Sequence, residues 1–104
     1  FKPDVTIQVL SLAETDLLDG FAFYERQAPG LGSYFLESLY SDIDSLLLYS
    51  GIHPVVYRRH RLLSKRFPFA VYYELERERV LIWRVLGCRR DPEWIRAQVM
   101  KTRS

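Results

Sequence analysis

The sequence predicts an α+β domain: an N-terminal strand, an antiparallel helical hairpin packed on a small antiparallel β-sheet, and a C-terminal helix. Three observations predict it. Two aromatic and β-branched runs, Phe69–Leu75 and Val80–Leu86, flank the charged tetrad Glu76–Arg79 and read as a β-hairpin. Upstream, two stretches with helical apolar spacing meet at Pro29-Gly30, so the helices should fold back on each other. The 104 residues are 48% hydrophobic and 14% aromatic, enough for one modest core and too few for two. One domain over 1–104 is expected.

Val5–Leu10 alternates weakly and is short, the pattern of an edge strand. Ser11 and Glu14 stand at capping-box spacing. The helix that follows carries the stripe Ala13, Leu17, Phe21, Tyr24 and Ala28, interrupted by Gly20, which weakens a helix by roughly 1 kcal/mol relative to alanine. A second helix is predicted over Ser33–Ser50, with Phe35, Leu39, Ile43, Leu46 and Leu47 on one face and Gly51 as its stop. Val55–Leu63 reads as one strand with cations on both faces. Alternation sends Arg58 and His60 one way and Tyr57, Arg59 and Arg61 the other, as at a sheet edge or a groove wall. Lys65 and Arg66 occupy the next turn. The central hairpin turn lacks Gly and Asn, so Glu76–Arg79 is expected to form a four-residue type I connection. Asp91-Pro92 are N-cap and first residue of a last helix that packs through Trp94, Ile95, Gln98 and Val99. The order is β-α-α-β-β-β-α.

Charge divides the chain. Residues 1–51 carry two basic against eight acidic side chains, a balance of −6, and residues 52–104 carry thirteen against five, a balance of +8. The basic half therefore points to an anionic partner, nucleic acid or an acidic protein segment, beyond what the acidic half neutralises. No apolar run approaches the ~18 residues of a membrane span. The single Cys88 excludes an internal disulfide and fits a reducing, cytoplasmic compartment, and the start lacks an export pattern. Opening on Phe1 is expected of a trimmed or tagged end.

Other candidate groups have plain readings. His53 and His60, with Cys88, lack metal-ligand spacing, so neither a metal nor a cofactor is expected. His60, among arginines, is suited to act as a neutral base, but an edge-strand imidazole facing solvent is the simpler expectation, and His53-Pro54 reads as loop. Tyr72, Tyr73 and Trp83 should fill the space between sheet and helices rather than stack nucleobases. Gly30 and Gly32 form a helix–helix turn, not a phosphate cradle. Cys88 is expected to be a half-buried filler whose pKa Arg89 and Arg90 would lower.

Three segments together carry a family likeness. Pro29-Gly30-Leu31-Gly32, followed by Tyr34, Phe35 and Leu36, resembles the P-G-L-G-x-x-F link between two helices. Arg66-Phe67-Pro68-Phe69-Ala70-Val71-Tyr72-Tyr73 is similar to an R-F-P-Y-x-V-x-Y strand, and Val85-Leu86 before Arg89-Arg90-Asp91 resembles a V-L-H-x-R-R-D ending. In this order they resemble the RelE/ParE superfamily of toxins from type II toxin–antitoxin, or plasmid-stabilisation, modules. The ParE-like branch is the nearer, over roughly Val5 to Trp94.

The resemblance implies a cytoplasmic toxin neutralised by a cognate antitoxin, whose disordered C-terminal segment wraps over it. The partner-binding residues it implies are Arg58, Arg59, Arg61, Lys65, Arg66, Arg84, Arg89, Arg90 and Trp94. In the ParE-like reading the toxin inhibits DNA gyrase by binding. In the RelE-like alternative it cuts ribosome-bound mRNA, with Arg89, Arg61 and Lys65 as catalytic cations. Against that alternative, Ala70 stands where the nucleases carry a second strand arginine, Trp94 only approximately matches their tyrosine, and Gly87 replaces a frequent histidine. A decayed toxin that only binds antitoxin is the third reading.

Overall fold

The computed structural model describes residues 5–101. Its elements are β1 (Thr6–Val9), α1 (Ser11–Gln27), α2 (Leu31–Asp44), α3 (Leu46–Tyr49), β2 (Val55–Val56), β3 (Arg59–Leu63), β4 (Phe69–Glu76), β5 (Arg79–Gly87) and α4 (Pro92–Val99). The five strands form one sheet in the order β1-β5-β4-β3-β2. β1 lies at an edge, parallel to β5, and the remaining neighbours are antiparallel. The α+β plan read from the sequence is the plan of the molecule.

The helix starts where β1 lets go. Leu10 donates its N–H to the Ile82 carbonyl, and its own carbonyl accepts the Glu14 N–H. That backbone geometry makes Leu10 the N-cap and places Ser11 inside the first turn, so the expected capping box is not formed. At the other end, Glu25 supplies the cap for α2. Its carboxylate accepts the N–H groups of Gly30 and Gly32 at 2.9–3.1 Å, satisfying donors that a helix start leaves open. Gly30 sits at φ 89°, and a Cβ on Gly32 would come within 2.7 Å of the Phe21 carbonyl oxygen. The Pro-Gly-Leu-Gly junction is thus a close helix–helix approach. The predicted second helix breaks at Ser45, whose hydroxyl donates to the Asp42 carbonyl at 2.6 Å, and α3 follows as a separate turn.

The predicted strand Val55–Leu63 is also divided. Val56 pairs with Arg59, leaving Tyr57 and Arg58 as a two-residue turn with φ of 57° and 71°. Positive φ at both positions is the pattern of a type I′ hairpin turn. The central hairpin is tighter than expected as well. Glu76 pairs with Arg79, so its loop is Arg77-Glu78 alone. The Arg79 guanidinium draws the strand ends together, donating to Glu76 at 2.6 Å and to Gln8 on β1 at 2.9 Å.

A β-bulge decides which side chains meet. Tyr72 faces Arg84 and Tyr73 faces Ile82, so Trp83 is the extra residue on β5. The bulge reverses the alternation, allowing Val80, Ile82 and Val85 to reach one core together. There they join Val71 and Tyr73 against Ala13, Leu17, Phe35, Leu39, Ile43 and Leu46 of the helices. Trp83 turns to the opposite face, where Ala70, Tyr72 and Leu86 pack on Ile95 and Val99 of α4. Its indole N–H donates to the Val99 carbonyl at 3.1 Å. Asp91 caps α4 as predicted, its carboxylate accepting the Trp94 N–H.

Candidate functional site

The α4 side of the sheet carries the cations of β3. Alternation within β3 turns Arg59 and Arg61 to this face and His60 to the helical side. Arg59 lies over the Trp83 ring, 4.1 Å from its centroid, with Nε 3.0 Å from a Glu74 carboxylate oxygen. Arg61 stands directly across from Tyr72, and its buried Nε has no hydrogen-bond acceptor among the described residues. Burial pushes the Tyr72 phenol above its ordinary value, and the Arg61 cation opposes that rise. The same two effects act on Cys88: burial raises the thiol pKa, and Arg61 pulls against it. The expected lowering of that pKa by Arg89 and Arg90 is therefore corrected. As a residue Cys88 is exposed, not half-buried as expected, and only its thiol is partly covered.

Beyond Cys88 the chain turns along a second surface. A groove of about 650 Å³ runs between α1 and the end of β5, lined by Phe23, Arg26, Phe69, Arg89, Arg90 and Trp94 among others. Arg90 stacks on Trp94, its guanidinium carbon 3.8 Å from the ring centroid. These two residues and Arg89 frame the mouth of the groove.

The other predicted binding residues are distributed differently. Arg58 lies exposed in the β2–β3 turn, off the strand alternation that was to aim it. Lys65 and Arg66 are exposed in the turn between β3 and β4, and Arg66 leans toward Tyr34 of α2, 6.0 Å from its ring. Arg84 is internal, which corrects its place among the docking residues. Its side chain is 9% exposed and donates to both carboxylate oxygens of Asp16, at 2.7 and 2.9 Å, and to Gln98. Asp16 also accepts the Val85 N–H, so it takes the position of a partner strand where β1 has ended. The arginines thus form a sheet-face pair and a groove-mouth pair that adjoin at Cys88, with Arg58, Lys65 and Arg66 apart.

The two imidazoles lie across the sheet from the arginine face. His60 is half-buried and stacked on Tyr73, not solvent-facing as expected, because the loop before β2 lies against it, the His53 carbonyl accepting from His60 Nδ1. His53 is held against the Tyr73 hydroxyl. Sequence reasoning missed Tyr57, Tyr72, Glu74 and Trp83 as the surroundings of Arg59 and Arg61. Pairing register alone brings them together, and register leaves no local signature.

No protein-family model matches the chain, and no curated protein matches it. Among solved structures, a chain of the chromosomal ParDE TA system from P. aeruginosa superposes with a TM-score of 0.70 at 15% identity, covering 78% of this chain and 92% of that one. The fold is that of a ParDE chain. The likeness bears out the resemblance read from the three motifs, and at this identity it concerns the fold. No helix among the described residues is long and apolar enough to cross a membrane.

Proposed function

We propose that this protein is the toxin of a type II toxin–antitoxin pair, neutralised by a cognate antitoxin and acting on DNA gyrase by binding. The observation that carries the reading is the shared fold over 92% of a ParDE chain. The face that would meet partners carries Arg59 and Arg61 with no imidazole beside them, and buried Ala70 supplies no second cation where a nuclease would place one. An acidic or amphipathic antitoxin segment, disordered when free, would fold across this face and bring a carboxylate to Arg61. Purified protein should inhibit gyrase supercoiling or stabilise cleaved DNA while leaving RNA intact. Untouched gyrase at micromolar protein, with translated messages cut, would overturn it.

The ribosome-dependent nuclease is favoured by one observation, the Arg61 guanidinium beside the Tyr72 phenol. It requires Arg89→Ala to abolish message cleavage. Normal growth after strong induction of the folded chain without antitoxin would favour the decayed, antitoxin-binding reading over both.

A further inference from the structure

On the helical side of the sheet, three polar groups tie down the corner where α3 leads into β2. The Tyr73 side chain is fully buried, and its hydroxyl oxygen accepts the Gly51 N–H at 2.9 Å. That oxygen lies 2.5 Å from Nδ1 of His53. His60 stacks on the Tyr73 ring with centroids 5.0 Å apart, and its Nδ1 donates to the His53 carbonyl at 2.9 Å. Next along the chain, the Pro54 carbonyl accepts the Arg61 N–H at 2.9 Å.

The phenol oxygen accepts from Gly51 and carries one hydrogen of its own. When that hydrogen is donated to His53, Nδ1 offers a lone pair and the imidazole is neutral with its proton on Nε2. We propose that this cluster is a proton-operated latch: neutral His53 receives the Tyr73 hydroxyl hydrogen and holds Gly51–Pro54 on the sheet, and a proton arriving at Nδ1 releases that segment. The released stretch includes Ile52, already 73% exposed, and leads into the two-residue β2 that covers the edge of β3. A proton bound on one side of β3 thus loosens the strand that presents Arg59 and Arg61 on the other. The latch does not depend on the toxin reading.

The groups that act on His53 are few. His60 faces it from β3 and Tyr73 from β4. From the helices, Tyr49 of α3 is 54% exposed, Asp44 of α2 is exposed, and Asp42 is engaged by the Ser64 hydroxyl. β2 contributes only valines. Burial first, then the charge of His60, holds His53 below the ordinary histidine value of 6.5. The folded form therefore binds fewer protons than the unfolded one. The latch is fully closed above that ordinary value and opens as pH falls through the folded value.

The test uses the intact chain, following amide exchange and imidazole nitrogen shifts by NMR between about pH 7.5 and about pH 5. At the upper end His53 should be the Nε2–H tautomer. As pH falls from about 6.5 toward the folded His53 value, Gly51 protection, corrected for intrinsic exchange, should drop by up to about tenfold per pH unit and level off below that value, while Val71 and Ile82 stay protected. Tyr73→Phe should lack the Gly51 protection already at the upper end. His53→Gln, uncharged throughout, should lose the step and so tests the latch if Tyr73→Phe fails to fold. Gly51 protection that survives His53 protonation, or an unchanged step in His53→Gln, overturns the proposal.

Discussion

At Gly20, helix propensity and packing pull in opposite directions. A Cβ there would lie 2.5 Å from the Phe35 ring, which is fully buried and packed edge-on against Phe67 and Phe69. Propensity favours alanine by about 1 kcal/mol, and overpacking costs about 1–3 kcal/mol. Gly20→Ala is expected to lower stability in urea unfolding, and a rise would show that the ring gives way freely. Asp16 poses the opposite problem, since removing it leaves the Arg84 guanidinium and the Val85 N–H buried without their acceptor. Asp16→Ala should cost about 3–5 kcal/mol by the same measurement. A loss within a few tenths of a kcal/mol would mean that water or Gln98 replaces it fully. Neither residue announced its role: Gly20 read as a weak point in a helix, and Asp16 as one of eight acids in an acidic half.

Elements differ in how firmly they are held. α4 packs on its own small cluster, through Ile95 and Val99, apart from the core shared by the helical hairpin and the sheet. Hydrogen exchange should therefore show α4 amides opening at lower free energy than those of β4 and β5. Equal protection throughout would make α4 part of one cooperative unit. The β2–β3 turn holds Tyr57 and Arg58 at positive φ, where a side chain other than glycine costs roughly 1–2 kcal/mol. Arg58→Gly is expected to raise the unfolding midpoint by relieving about 1 kcal/mol, even though it removes an arginine. A drop would indicate that the Arg58 side chain makes stabilising contacts. The sequence marked a strand across Val55–Leu63 because its β-propensity is continuous, and the turn inside it carries no Gly or Asn to reveal itself.

Across the whole molecule, the split between acidic and basic halves is only partly settled internally. Asp16–Arg84 joins the two halves, whereas Arg59–Glu74 and Arg79–Glu76 lie within the basic half. Arg61 keeps an unanswered guanidinium nitrogen on the α4 side of the sheet. Arg61→Gln should leave the fold intact and weaken association with an acidic partner segment about tenfold, with a shallower salt dependence, measured by calorimetry at two ionic strengths. An unchanged affinity would move the docking surface to the groove framed by Arg89, Arg90 and Trp94.

The sequence by itself determined the order of elements, the α+β class, the capped last helix and the burial of Tyr72, Tyr73 and Trp83. These follow from apolar periodicity and turn chemistry, which act over a few neighbouring residues. Only the tertiary structure decided that Trp83 is a bulge, that Arg84 is internal, that Glu25 caps α2, and that His60 and Arg61 stand on opposite faces of a covered strand. Each of those outcomes depends on strand register, helix approach, or residues up to 69 positions apart, such as Asp16 and Val85. Register shifts by one residue exchange the faces of a strand without altering its local pattern, so such partnerships are settled only when the sheet and helices close on one another.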